Sequence, residues 1–199
     1  MRKIFILSVF CLATLAAKAQ EGDMIWAFYY QPATPTGDFK SYIEETSLRG
    51  WAFEGRLFMT EDVSLGGFIG YNGFYQEFPR GLYDQGTVTI NAKTWRYMYV
   101  LPTLVNAHYY IGEGMVKPFI GTGVGLYYVE QELQFGTNRI SENSWNFGIA
   151  PEVGLYIPFG LQSSLGLMTS VKYNLVFYNY DDISKLSYIN YNIGLGFKF

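Results

Sequence analysis

The sequence is poor in the residues that carry most site chemistry. It has one cysteine and one histidine in 199 residues, and charged residues make up 16% of the chain, against about 25% in typical soluble proteins. The cysteine, Cys11, lies in an N-terminal apolar stretch that reads as a leader. The mature chain therefore has no thiol, disulfide or Cys-metal chemistry. Beyond that stretch no apolar run approaches the 18 residues of a membrane-spanning helix. Nor is there an internal repeat, a low-complexity linker or a sign of a second domain.

Residues 1–19 have the layout of a secretory signal peptide: Arg2 and Lys3, an apolar run over Ile4–Ala17, then Ala17-Lys18-Ala19 at the cleavage position. Cleavage would leave Gln20 first and residues 20–199 as one domain. It would also remove Arg2, Lys3 and Lys18, leaving eleven basic against seventeen acidic side chains, a net charge of −6. That balance argues against a nucleic-acid partner.

Aromatics are abundant instead, at 19%. An exported chain with many rings and few charges needs an apolar place for them. In lipid only helices and closed barrels satisfy their own backbone, and no helix here is long enough. The remaining solution is a barrel, and period-two alternation recurs eight times. In the last strand Ile189, Tyr191, Ile193, Leu195, Phe197 and Phe199 share one face, and Asn190, Asn192, Gly194, Gly196 and Lys198 the other. The same split runs through about Ser164–Tyr178, Ser144–Ile157, Pro118–Leu133 and Trp95–Tyr110. It is noisier over Ser64–Tyr75, Gly50–Met59 and Met24–Pro32.

Short turns are expected near Thr60–Val63, Ile111–Lys117 and Pro158–Gln162. Longer polar loops are expected over Ala33–Arg49, Gln76–Thr94, Gln134–Asn143 and Asp181–Leu186. Short turns at one end and long loops at the other is the outer-membrane arrangement. The expected fold is all-β: an eight-stranded antiparallel transmembrane up-and-down β-barrel behind a cleaved signal peptide. Its bulky face should point outward, because an eight-strand interior is only just wide enough for side chains. Aromatics gather near two heights. Trp51, Tyr71, Tyr97, Tyr128, Trp145, Phe177 and Tyr191 lie toward the long loops, and Tyr109 and Phe199 toward the short turns, as in two interfacial girdles.

The terminal stretch Tyr191-Asn192-Ile193-Gly194-Leu195-Gly196-Phe197-Lys198-Phe199 resembles the C-terminal assembly signal of bacterial outer-membrane proteins. The segment Gly121-Thr122-Gly123-Val124-Gly125-Leu126-Tyr127-Tyr128 resembles the middle strand of the small outer-membrane barrel family, which includes the OmpA membrane domain, OmpX and the opacity-type proteins. Pro151-Glu152-Val153-Gly154 is similar to the strand that follows there. The resemblance covers the mature chain and implies the outer membrane of a Gram-negative bacterium. The partners it implies are outer-membrane lipids and lipopolysaccharide, the barrel assembly machinery, and an extracellular ligand taken by the long loops. The peptidoglycan-binding domain of OmpA is absent, which argues against cell-wall tethering.

Gly121, Gly123 and Gly125 mimic a phosphate loop, but no helical pattern follows to receive the phosphate, so they are read as lumen packing. Glu54, Arg56, Glu152 and Lys172, with Arg96 on the same parity, are read as a lumen charge cluster. Unpaired charges are too costly there. Counting from the turns favours Arg56 as partner for the carboxylates, with Lys172 reaching down. His108 points inward without a serine beside it in sequence and reads as a hydrogen-bonded lumen side chain. No catalytic residue, metal site or cofactor is assigned. Glu44-Glu45 and Asp181-Asp182 read as solvated loop charge, and Val88–Ala92 as a strand-like run that could lengthen its neighbours.

The functional expectation is a structural or surface-interaction barrel with a plugged lumen. The alternatives are a narrow gated channel and, less favoured, a lipid-modifying enzyme. Mass spectrometry of the membrane-extracted protein should find Gln20 at its N-terminus. An intact Met1 would remove the leader assignment.

Overall fold

The computed structural model describes residues 23–85, 88–112, 114–135, 138–160, 163–178 and 185–199; the leader expected over residues 1–19 and the loop charges Asp181-Asp182 lie outside them. Alternating sequence becomes antiparallel strand throughout: β1 (Met24–Tyr30), β2 (Ala33–Thr36), β3 (Gly50–Phe58), β4 (Val63–Gln85), β5 (Val88–Tyr110), β6 (Lys117–Phe135), β7 (Asn138–Pro158), β8 (Leu165–Val176) and β9 (Leu186–Lys198). A short helix, α1 (Gly37–Tyr42), follows β2. β1 and β2 are one stave jointed at Gln31-Pro32, because both pair with β9. The ring therefore has eight staves and closes between β1 and β9.

The registers fix its girth. Trp26 pairs with Gly55, then in turn with Gly67, Val105, Val124, Ile149, Leu175 and Ser187, and the circuit returns to the first stave at Thr36, ten residues further on. With standard strand spacings, eight strands and a stagger of ten give a tilt of about 40° and a backbone radius of roughly 8 Å.

Such a cylinder sorts its two faces by size. Outside stand Phe28, Phe53, Ile69, Val105, Ile120, Phe147, Val153 and Ile193, all exposed. Inside, the packing is layered. Tyr110, Phe119 and Tyr156 are buried toward the short turns, and the charged side chains lie above them. An amide chain follows: Tyr127 donates to Asn174 (3.0 Å), Asn174 to Asn190 (2.6 Å), Asn190 to Asn72 (3.1 Å) and Asn72 to the Gln31 carbonyl (3.0 Å). These aromatic inward layers are an addition to the glycine, amide and ion filling read from sequence.

The first long segment is a cap. Phe39 and Ile43, one helical turn apart, are fully buried. Phe39 meets Phe74 edge-on at 4.8 Å, and Phe74 meets Tyr188 at 5.4 Å. Gly37 starts the helix at φ 56°, and a Cβ there would lie 3.0 Å from Ser187 Oγ. Tyr42 is pinned by Gln131 Nε2, which donates to its hydroxyl at 2.9 Å.

The segments 76–94 and 134–143, expected as loops, are mostly strand. β4 and β5 stay paired up to Gln85 and Val88, and β6 and β7 up to Phe135 and Asn138. Their flanking partners stop at Gly50, opposite Asn72, and at Val176, opposite Gly148. Four strands thus rise beyond the rim as a sheet. A register shift between Phe78 and Gly81 falls at Pro79, which has no N–H for the ladder.

Glycine is tolerant or essential according to what lies over it. A Cβ on Gly125 would run into the Thr103 carbonyl, whereas one on Gly67 meets nothing within 4 Å. Gly125→Val should lose a few kcal/mol of stability, about 1–3 or more for overpacking, and deplete the heat-modifiable folded band on detergent gels. Gly67→Val should leave that band unchanged.

Candidate functional site

Four inward positions on three strands bring the charges together. Glu54 and Arg56 alternate with outward residues on β3, and the β7–β8 register sets Glu152 directly opposite Lys172. Arg56 Nη2 lies 2.8 Å from Glu54 Oε2 and 3.7 Å from Glu152 Oε1, and Lys172 Nζ lies 3.2 Å from Glu152 Oε2. All four side chains are at most 1% exposed. Lys172 need not reach down, because hairpin neighbours share a height. Arg96 does not join them: it sits a dozen residues up β5 from His108 and stacks on Tyr42 and Phe78 at 4.5 and 4.6 Å. Its Nη1 donates to the Tyr42 carbonyl at 3.1 Å, bracing the cap.

Two neutral donors and one neutral acceptor complete the shell. Tyr29 donates to Glu54 Oε2 at 3.0 Å, Asn106 to Glu54 Oε1 at 2.7 Å, and Arg56 Nη1 to the Tyr110 hydroxyl at 2.9 Å. The cations also lie on rings, Arg56 over Phe119 at 4.3 Å and Lys172 over Phe68 at 3.4 Å. Cation–π contact of this kind is worth about 2 kcal/mol or more when desolvated.

His108 is the member that sequence reasoning did not bring in. Its Nε2 lies 3.5 Å from both Glu54 Oε1 and Glu152 Oε2. Inward parity was its one signal; the position between two carboxylates depends on the stagger around the ring. Glu54, His108 and Glu152 place one potential ligand atom each within 4.8 Å of one another. Both carboxylates are already neutralised by Arg56 and Lys172, and a divalent cation there would meet two buried positive charges. The arrangement is that of an ion-pair network. Ser64 stands opposite His108 in the register, but its buried hydroxyl bonds neither imidazole nitrogen.

Gly121 and Gly123 face this cluster's wall. A Cβ on Gly121 would strike the His108 ring, and one on Gly123 the Asn106 side chain. Their place is packing room for those two groups.

Solved structures place the fold. The attachment invasion locus protein Ail of Yersinia pestis, in complex with the heparin analogue sucrose octasulfate, matches with a TM-score of 0.56 at 15% identity, over 90% of this chain and 100% of that one. OprG of Pseudomonas aeruginosa matches at 0.56 and 14% identity, over 89% and 96%. Neisserial surface protein A matches at 0.51 and 13%, over 89% and 96%. This chain has the fold of the small outer-membrane β-barrels. No family model and no curated protein matches it.

An outer-membrane barrel needs an apolar outer wall with interfacial rings at its borders, and the residues expected to form the girdles stand on the outer face. Trp51, Tyr109, Trp145 and Tyr191 are exposed outward, and Tyr71, Tyr97 and Tyr128 are half-buried on the same face. Tyr97 continues upward from the border: it packs on Tyr75 at 5.0 Å, beside Glu77, whose carboxylate lies 2.6 Å from Lys93 Nζ. Ile193, Leu195, Phe197 and Phe199 line the outer face of β9 below Tyr191, and all five are exposed.

Removing one charge should cost more than removing a pair. Lys172→Met leaves a buried carboxylate short of a cation and should destabilise the folded barrel by about 3–5 kcal/mol. Lys172→Met combined with Glu152→Gln restores neutrality and should recover most of that. Urea unfolding in lipid vesicles, followed by tryptophan emission, measures both; additive losses would contradict the network.

Proposed function

We propose that this outer-membrane barrel is a non-conducting surface-interaction protein, with binding carried by the sheet that β4–β7 raise above the rim. The observation that carries this reading is the contrast between the two ends. The lumen is filled from Tyr110 and Phe119 up to Phe39 and Ile43, while β4 runs thirteen residues past its last pairing with β3. A strand beyond its neighbour presents unpaired backbone groups, the feature that β-strand addition uses. The side chains of Asn138–Asn143 are all exposed on β7, which suits contact with a partner.

The partners we propose are the lipids and lipopolysaccharide around the wall, the barrel assembly machinery that reads the β9 terminus, and an extracellular ligand at the raised sheet. The Ail structure contains a heparin analogue. The present chain is acidic, and Lys93 and Arg139 on the raised sheet are already paired with Glu77 and Glu132, so a polyanion is not the ligand class proposed for it. We also propose that the barrel is not an enzyme. His108 and Ser64 are buried in the lumen, away from the outer-leaflet border where a lipid-modifying barrel would meet its substrate.

The channel reading rests on the buried ions. A gate there would still leave apolar layers above and below, so breaking one ion pair should not open a path. In planar bilayers the native protein and Lys172→Met should both give traces without conductance steps; resolved steps would favour the channel. Cells displaying the native chain should adhere to an immobilised panel of matrix glycoproteins several-fold better than cells displaying a Gly81–Lys93 deletion. Equal adherence at equal surface expression would count against the raised sheet.

A further inference from the structure

The outer wall is not evenly covered. Around Gly67 there is a dent of about 390 Å³, walled by Trp26 and Phe53 on one side and Leu65 and Ile69 on the other, with Thr103 of β5 beside Ile69. Two glycines make it. Gly55 and Gly67 are register partners, and they differ in what lies over them. A Cβ on Gly55 would come within 2.6 Å of the Trp26 ring, so that ring lies flat against the wall, while above Gly67 the space is open. Phe53 stacks on Trp26 at 5.2 Å with 17° between planes, which makes a rigid aromatic side to the dent. The four apolar wall residues are each 40–46% exposed.

The dent is continuous with the lipid-facing wall. It sits four residues above Val63 on β4 and three above Phe58 on β3, in the half of the apolar belt nearer the short turns. In an outer-membrane barrel those turns lie on the periplasmic side. We infer that the dent around Gly67 is a seat for one acyl chain of a periplasmic-leaflet phospholipid, held against the Trp26–Phe53 face. Hydrocarbon is the only solvent that reaches it, and Arg56, the one charged residue in its lining, turns its fully buried side chain into the lumen. A chain lying in it gains contact with two aromatic faces and with a backbone floor that no side chain shields. Such close packing is what distinguishes one lipid position from another in a medium where all walls are apolar. The inference rests on the transmembrane reading of the fold, but not on the raised sheet or on the silence of the lumen.

The test uses the full chain with Trp51, Trp95 and Trp145 replaced by Phe, so that Trp26 is the only emitter. It is refolded into phosphatidylethanolamine–phosphatidylglycerol vesicles with a rising fraction of brominated acyl chains. Trp26 should be quenched with a chain-length preference of about threefold or more over a Trp145-only control, which sits on an open part of the wall. Gly67→Leu should fill the dent and erase that preference. Its folding is checked by heat-modifiable migration, and Leu65→Ala, which widens the dent without adding bulk, should shift the preferred length instead. Equal preference at Trp26 and Trp145, or no response to either variant, would overturn the proposal. So would protection of Trp26 that grows with protein density and is matched by a crosslinked dimer, since the occupant would then be a second copy. Absence of a folded, heat-modifiable band for the native chain in these vesicles would instead implicate the transmembrane reading itself.

Discussion

Everything inside the barrel follows from the narrowness that eight strands with a stagger of ten impose. A cylinder of roughly 8 Å backbone radius leaves little room for bulk water, so an inward charge has to find its partner within the lumen. Glu54, Arg56, Glu152 and Lys172 do so from three different strands, with Tyr29, Asn106 and Tyr110 taking up further lone pairs and protons. A buried quartet of this kind is a weak source of net stability but a strict one of register. Moving any one strand by a residue would turn its charge into lipid.

The same narrowness explains why glycine and tyrosine coexist on the inner face. A Cβ on Gly148 would lie 2.6 Å from the Tyr127 ring, and one on Gly166 would lie 2.5 Å from the Tyr156 ring. Large side chains lie along the inner wall where the adjacent strand has been pared back to glycine. On the outer face the logic reverses, and the few outward glycines either receive a neighbouring ring, as Gly55 does, or leave a hollow, as Gly67 does.

The strands were legible in sequence because water-averse and small residues alternate only when one face meets hydrocarbon. That signal fades where both faces meet water. Residues 76–94 and 134–143 therefore read as loops, although their backbone ladders continue. Helix α1 was too short for any periodicity, and its trace in the sequence is the spacing of Phe39 and Ile43. Parity alone sufficed to turn Glu54, Arg56, Glu152 and Lys172 inward. It could not say which of them meet, because that depends on how far each strand is staggered around the ring. Arg96 shows the limit: the same parity at a different height gives it Tyr42 and Phe78 as neighbours. His108 shows the converse, a side chain read as a hydrogen-bonded lumen group outside the charge cluster that the stagger sets between two of its carboxylates.

The cap is tied to the opposite end of the chain. Thr36 and Ser187, 151 residues apart, exchange hydrogen bonds of 3.1 and 3.0 Å, and β2 has its strand partner in β9. The cap also leans on β4, β5 and β6 through Phe74, Arg96 and Gln131, but its strand partner is β9, so it is fully seated only when β9 closes the ring. Seating of Phe39 thus serves as a latch that engages at the end of assembly, and a barrel missing its last strand would be left unsealed as well as unclosed.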